Sequence, residues 1–137
     1  MKSEVNIKWQ GDMSFETEIS GHKMVIDAGP EVGGQDKGPR PKPFVLLALA
    51  GCTGMDVVSM LKKMRVELEG LEIKVEGDLT EEHPKTFEGM TVVYEFKGKD
   101  LPLDKIEKAV SLSENKYCGV SALYKKAIPI KTEIRLV

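Results

Sequence analysis

The sequence predicts one α+β domain with antiparallel sheets and a long helix in the middle of the chain. Three observations indicate this class: short runs near both ends alternate apolar and polar residues, a long apolar run lies near the centre, and turn residues separate the runs. The predicted order is β-β-β-α-β-β-α-(α)-β, which is typical of α+β proteins. Since 137 residues is the usual length of one domain, we expect a single domain over residues 1–137.

Three short strands are predicted in the first 28 residues. Strand-like alternation covers residues 5–9 and 15–19, and a third apolar run covers residues 23–28. Turn signals separate the runs at Gly11-Asp12 and at Gly21-His22. Short strands joined by tight turns predict an antiparallel meander.

A long apolar helix is predicted from Pro43 to Met64, after a loop of glycine and proline residues at positions 29–39. Pro43 suits the first turn of a helix, and Lys62 and Lys63 complement the helix dipole at the other end. Apolar side chains occupy nearly every face of this helix, so nearly every face must be covered. One small domain would struggle to do this, and the sequence therefore favours a second copy of the chain as the cover.

The second half of the chain predicts two strands, two helices and a last strand. The strands cover residues 71–76 and 86–96, and a shift in the apolar pattern predicts a bulge near Gly89. An amphipathic helix begins near residue 103, and a short helix covers residues 120–126. Alternation from Ile128 to Leu136 predicts the last strand.

The composition indicates which kinds of partner to exclude and which cellular compartment to expect. The formal net charge of −2 argues against binding to nucleic acid, which requires a clustered basic surface. The first residues have no apolar run typical of a signal peptide, and the uncharged stretch from Pro43 to Met55 is shorter than the roughly 20 residues that span a bilayer. Two cysteines without a secretory signal favour the reducing cytoplasm. We therefore expect a cytoplasmic protein with no membrane or nucleic-acid partner.

The two cysteines are the residues whose chemistry is most informative. Cys52 lies inside the apolar helix with Gly51 beside it and Gly54 two residues on, and Cys118 lies far downstream. The reactive form of cysteine is the thiolate, which the negative charge of Asp56, one helical turn from Cys52, would disfavour unless something neutralises it. The residues alone leave two hypotheses open: inert packing thiols or a reversible redox pair.

Other kinds of site are less favoured. The possible metal ligands His22, Cys52, His83 and Cys118 have no ligand-pair spacing, so we expect no metal and no other cofactor. Both histidines lie in predicted surface turns, which favours solvated side chains over a Cys–His nucleophile pair. The glycine-rich loop matches neither a P-loop nor a dinucleotide-binding pattern.

Two motifs resemble those of a known family. Residues 38–58, GPRPKPFVLLALAGCTGMDVV, resemble the signature of the OsmC/Ohr family of osmotically induced and organic-hydroperoxide-resistance proteins. Residues 115–121, NKYCGVS, resemble its second cysteine motif, and the closest branch is that of the OsmC-like proteins without an assigned role. The resemblance implies an OsmC-like fold, in which antiparallel sheets wrap around long central helices of an intertwined homodimer.

The resemblance also implies a thiol peroxidase acting on organic hydroperoxides. Cys52 would be the peroxidatic thiolate that becomes a sulfenic acid, Cys118 would resolve it as a disulfide, and an external dithiol would reduce both. The hydroperoxide reductases carry an activating glutamate near the start of the central helix and an arginine in the N-terminal strands. Here Lys42 or Pro43 takes the place of the glutamate, and residues 5–28 contain no arginine.

Other residues are therefore candidates to activate the thiol or orient the substrate, namely Arg40, Lys42 and Asp56. The alternative function is a non-enzymatic OsmC-like dimer that binds a small apolar or acidic ligand at the subunit interface, where Arg40 and Lys42 would favour an acidic head group. A third hypothesis is a structural dimer whose thiols only pack.

Overall fold

The computed structural model describes all 137 residues, which form two compact units, residues 1–45 and residues 46–137. The boundary between the units falls within helix α1, Pro43–Lys63, so one continuous helix begins in the first unit and ends in the second. The single domain expected over residues 1–137 stays a prediction. The order of strands and helices along the chain agrees with the predicted order.

The first unit contains the predicted antiparallel meander. Its strands are β1 (Ile7–Trp9), β2 (Phe15–Ile19) and β3 (His22–Ile26), and β2 lies between the other two. A loop with one 3₁₀ turn follows and is held by the buried carboxylate of Asp27. This carboxylate accepts hydrogen bonds from the backbone N–H groups of Ala28, Gln35 and Lys37 at 2.7, 3.2 and 3.1 Å.

Helix α1 buries one narrow stripe of side chains. Leu49, Thr53, Val57 and Leu61 repeat every four residues, which places them on one face of the helix, and all are buried. On another side Leu47 is 61% exposed and Met55 is 78% exposed. The predicted apolar character on nearly all sides is confirmed, and cover by a second copy remains a prediction.

Helix α1 is also long and apolar enough to cross a bilayer, since its most apolar 18-residue window has a mean hydropathy of 1.9. Only 22% of that window is buried within the chain. A helix from the core of a soluble protein meets the same criteria of length and composition, so one such helix is weak evidence for a membrane span.

The second unit contains a three-stranded sheet in the order β4-β5-β6. Strands β4 (Gly70–Leu79) and β5 (Phe87–Lys97) pair antiparallel, and the register shift opposite Asp78 and Leu79 confirms the bulge predicted near Gly89. Strand β6 (Ile130–Leu136) runs parallel to β5. The expectation of antiparallel sheets thus holds for β1–β3 and for β4–β5, whereas the β5–β6 pair is parallel because a helical crossover connects the two strands.

That crossover brings the second cysteine to the sheet. It consists of α2 (Leu103–Leu112), a π-helical turn (Ser113–Tyr117) and α3 (Gly119–Lys125), and Cys118 joins the last two. Helix α1 packs close to the same sheet, since a Cβ added at Gly54 would lie 2.8 Å from the Cδ1 atom of Ile73 in β4. The neighbouring Thr53 is fully buried, and its hydroxyl donates a hydrogen bond to the carbonyl of Leu49 at 2.9 Å. Cys52 is therefore anchored beside two well-packed residues of α1.

Candidate functional site

Cys52, Asp56 and Cys118 come together in the second unit. The two sulfur atoms and a carboxylate oxygen of Asp56 all lie within 4.8 Å of one another. Cys52 and Asp56 share a face of α1 because they are four residues apart. Cys118 reaches them from the junction between the π-helical turn and α3. The fold thus joins two cysteines that are remote in sequence and adds a carboxylate to them.

The two thiols are free and differ in exposure. Cys52 is half-buried, whereas only 2% of Cys118 is exposed. A disulfide requires a sulfur–sulfur distance of about 2.05 Å. Since the sulfurs lie no more than 4.8 Å apart, they have to approach by less than about 3 Å to form one. Rotation about the χ1 bonds is the kind of motion that provides such a shift.

Cys118 is held as a protonated thiol at neutral pH. Burial, assisted by a hydrogen bond with Cys52, raises the pKa of the Cys118 thiol to about 11. The backbone N–H groups of Ser121 and Val120 act in the opposite direction but are outweighed. Cys118 is the N-cap residue of α3, and its Sγ atom accepts a hydrogen bond from the Ser121 N–H at 3.3 Å.

The carboxylate of Asp56 is fixed by a buried serine. The Oγ atom of Ser113 donates a hydrogen bond to Oδ2 of Asp56 at 3.0 Å, and Ser113 is fully buried. Ser113 is the first residue of the π-helical turn that leads to Cys118. One hydrogen bond therefore connects the helix that carries Cys52 to the segment that carries Cys118.

A polar network behind Cys118 holds the π-helical turn in place. The carboxylate of Glu114 accepts hydrogen bonds from the hydroxyls of Tyr94 at 3.0 Å and Thr132 at 2.6 Å. Its backbone carbonyl accepts hydrogen bonds from Ser121 Oγ and Lys125 Nζ at 3.2 and 3.0 Å. Burial raises the pKa of Tyr94, so its phenol stays protonated and donates. The turn is thereby bound to β5, β6 and α3.

Ser113 and Glu114 were not among the residues predicted to form the site, although the sequence contains a signal for Glu114. Glu114 lies four residues after Val110 and eight after Ile106, a spacing that continues the apolar stripe of α2 into the π-helical turn. An acidic residue on such a stripe must find hydrogen-bond donors when it is buried. No comparable pattern marks Ser113.

The other candidate residues belong to the first unit or to the surface. The guanidinium of Arg40 bonds to Asp36 at 2.6 Å and to the carbonyl of Gly38 at 3.1 Å, and the bond to Asp36 raises the pKa of Arg40. Lys42 is exposed directly before α1. The roles given to Arg40 and Lys42 stay predictions. His22 and His83 are exposed, and neither belongs to the cluster of Cys52 with Asp56 and Cys118.

A shallow apolar depression lies on the exposed side of α1. It has a volume of about 390 Å³, and a Cβ added at Gly51 within it would meet no atom of another segment within 4 Å. Its lining is almost entirely apolar and consists of Leu47, Ala50, Gly51, Gly54, Met55, Val58, Leu71 and Ile73. The backbone of α1 next to Cys52 is thus open to an approaching molecule.

The part of the chain that carries both cysteines matches a known protein family. A family model described as OsmC-like protein matches residues 34–133. Protein YhfA of Escherichia coli K12 is 33% identical over 135 residues, which cover 98% of each chain.

Solved structures share the fold over nearly the whole chain. A protein from Aquifex aeolicus is 29% identical, with a TM-score of 0.87 over 100% of this chain and 98% of that one. The organic hydroperoxide resistance protein OhrB of Bacillus subtilis is 18% identical, with a TM-score of 0.68 over 98% of both chains. At that identity the likeness to OhrB concerns the fold.

Proposed function

This chain belongs to the OsmC-like family, and from that premise we propose that it is a thiol-dependent peroxidase that reduces organic hydroperoxides with Cys52 and Cys118. The observation that carries the proposal is the approach of the two free sulfurs to within 4.8 Å of each other beside Asp56. Two thiols at that distance can pass reversibly between the reduced pair and a disulfide. The reducing cytoplasm would supply the dithiol that restores them.

Cys52 is the peroxidatic residue, and two differences between the thiols support this order. Cys52 is half-buried and meets a peroxide first, whereas Cys118 is 2% exposed. The pKa of Cys118 is raised to about 11, so Cys118 holds its proton at neutral pH and is a poor first nucleophile.

The reaction proceeds in three balanced steps. The Cys52 thiolate attacks the terminal oxygen of the hydroperoxide, the O–O bond breaks, and the alkoxide leaves and takes up a proton to become an alcohol. The sulfur of Cys118 then attacks the sulfenic acid of Cys52, which forms the disulfide and releases water. An external dithiol exchanges with this disulfide, becomes oxidised itself and returns both thiols.

Asp56 serves as the proton carrier of the site. Its carboxylate lies within 4.8 Å of both sulfurs, so it can take the proton of Cys52 and give it to the departing alkoxide. The bond from Ser113 keeps the carboxylate in place without adding positive charge. In this role the negative charge of Asp56 serves to accept a proton, although by itself it disfavours a thiolate on Cys52.

We further propose that the protein is a homodimer in which a second copy covers the exposed face of α1. The apolar side chains on this face include Leu47, Met55 and Val58, which are 49–78% exposed in the single chain. Large apolar side chains grouped on one helix face are typical of an interface between proteins. A partner bound there would also line the approach to Cys52 with apolar groups, which suit an organic substrate.

The apolar depression favours one alternative, a binding protein without peroxidase activity. Its lining residues belong to α1 and β4 and offer apolar contacts to a small ligand, with the backbone bare at Gly51. In this alternative the thiols are packing atoms, and ligand binding is unchanged by Cys52→Ser.

The central test is turnover of cumene hydroperoxide by the purified protein with a dithiol. We expect consumption above the rate without protein, with Cys52→Ser at that background and Cys118→Ser accumulating a sulfenic acid that dimedone traps. Mass spectrometry of the peroxide-treated wild type should find a Cys52–Cys118 disulfide. Ser59→Ala, an exposed change on α1, is the matched control and should retain the wild-type rate. Equal turnover by the wild type and Cys52→Ser would sink the peroxidase function.

A further inference from the structure

We propose that Cys52, Asp56 and Cys118 form a binding site for a soft divalent cation, with Zn²⁺ as the physiological ion. No metal was predicted from the sequence, because its cysteines and histidines have no paired ligand spacing. The fold supplies the missing ligand from a carboxylate, and the three ligand atoms lie within 4.8 Å of one another.

The spacing of the three atoms is close to that of a zinc site. A tetrahedral Zn²⁺ with bonds of about 2.3 Å to sulfur and about 2.1 Å to oxygen sets neighbouring ligand atoms roughly 3.5–3.8 Å apart. The atoms here need to move together by no more than about 1.3 Å to reach that spacing. Cys52 and Asp56 stand one turn apart on α1, so a single helix presents two of the three ligands from one face.

The donor set selects the class of ion. Two sulfurs and one carboxylate oxygen suit a borderline or soft cation such as Zn²⁺ or Cd²⁺, whereas Mg²⁺ and Ca²⁺ prefer oxygen ligands only. Three protein ligands leave the fourth position of a tetrahedron to water or to an outside ligand. A divalent cation also neutralises the negative charge that Asp56 brings next to the sulfurs.

The ligands have the outer hydrogen bonds that orient them in a metal site. Ser113 Oγ donates a hydrogen bond to Oδ2 of Asp56 at 3.0 Å. The backbone N–H of Ser121 donates to the sulfur of Cys118 at 3.3 Å. Partners of this kind fix ligand orientation and support affinity. Glu114, through its bonds to Tyr94 and Thr132, holds the turn on which Ser113 and Cys118 lie.

Metal binding would release the protons of the two thiols and hold both sulfurs as thiolates, so it would compete with disulfide formation for the same two sulfurs. A cation shared by Cys52 and Cys118 shields both thiols from a peroxide and keeps the pair reduced. The proposal does not rest on the peroxidase function, since the same three ligands would bind the cation whether or not the thiols turn over a peroxide.

The test is a titration of the reduced, chelator-treated protein with Cd²⁺, followed by the ultraviolet thiolate-to-cadmium charge-transfer absorbance. We expect one Cd²⁺ per chain, displaced by Zn²⁺, and protection of the half-buried Cys52 from alkylation when the metal is bound. Cys52→Ser should weaken binding at least about tenfold, and Asp56→Asn, which keeps the size of the side chain, roughly 10–100-fold. Asp78→Asn, an exposed carboxylate on β4, is the matched control and should bind as the wild type does.

Three results would overturn the proposal: no charge-transfer absorbance in the wild type, binding that Cys52→Ser leaves unchanged, or binding that Asp56→Asn leaves unchanged. Circular dichroism of each variant separates loss of the site from loss of the fold. A protein that reduces cumene hydroperoxide but binds no Cd²⁺ would refute the metal site alone. A protein that binds Cd²⁺ at this site without consuming peroxide would refute the peroxidase alone.

Discussion

The two cysteines have the same side chain and different surroundings, and this difference assigns their proposed roles. Cys118 is sealed in the fold, and burial raises its pKa to about 11. Cys52 is half-buried on α1, where an approaching molecule can reach it. A site of this kind needs one accessible sulfur to react and one protected sulfur to close the disulfide afterwards.

At the scale of a single residue, the substitution Asp56→Asn tests the proposed role of Asp56 as the proton carrier. Asparagine keeps the shape of the side chain and an oxygen for the Ser113 hydroxyl, but it cannot take up a proton. We expect the rate of cumene hydroperoxide reduction to fall roughly 100-fold, the lower end of what general acid–base groups contribute. The measurement is single-turnover oxidation of Cys52, with Asp78→Asn as control. A rate that Asp56→Asn raises instead would mean that the carboxylate opposes the thiolate and carries no proton.

At the scale of elements, short connecting segments hold the chemistry in place. The π-helical turn, a form often found at functional sites, directs Ser113 to Asp56 and Cys118 to Cys52. In the first unit a single carboxylate, Asp27, organises the loop that precedes α1. Such segments have little apolar contact of their own, so hydrogen bonds to a fixed group determine their conformation.

Asp27 should make the loop sensitive to acid. Burial opposes its ionisation, but hydrogen bonds from the N–H groups of Ala28, Lys37 and Gln35, with the positive charge of Lys37, outweigh this and lower the pKa of Asp27. A lowered folded-state pKa gives stability that is present above the unfolded value of about 3.9 and is lost as pH falls through the folded value.

We therefore expect Asp27→Asn to be clearly less stable than the wild type at pH 7, and we expect the difference to be smaller at an acidic pH below the lowered pKa of Asp27. Urea unfolding at both pH values measures this, and Asp78→Asn, whose carboxylate is exposed, provides the control. A stability gap of equal size at both pH values would show that the carboxylate charge is irrelevant to the loop.

At the scale of the whole molecule, one face of α1 leaves large apolar side chains exposed in the single chain. Leu47 and Met55 stand in water on a helix whose opposite face is fully packed. Removing such side chains from water is favourable by about 25 cal/mol per Å² of apolar surface, which is the driving force for the proposed dimer. A partner on this face would also line the approach to Cys52, so the dimer would form part of the proposed active site.

Leu47→Glu tests the dimer, because an unpaired carboxylate buried in an apolar interface costs several kcal/mol. We expect the dimer dissociation constant to rise at least about 100-fold, seen as a shift from dimer to monomer in light scattering after gel filtration. Leu103→Glu, at an exposed apolar position in the first turn of α2, is the matched control and should remain dimeric. A wild type that is monomeric at high concentration would refute the dimer, and a dimeric Leu47→Glu would place the interface on another face.

Local patterns in the sequence were sufficient for the order of strands and helices, the bulge near Gly89 and the apolar character of α1. Those features depend on residues close together in the chain, whose periodicity can be read directly. The family motifs also marked Cys52 and Cys118 in advance. The direction of β6 was not readable, because pairing between distant strands depends on the path of the crossover.

The sequence by itself determined the elements, the family and the two thiols that any function of this protein has to explain. Only the tertiary structure decided that these thiols meet, that Asp56 and Ser113 join them, and that Cys118 is the sealed member of the pair. The physical reason is that periodicity is a local property of the chain, whereas distance and burial are set by packing between segments that are remote in sequence.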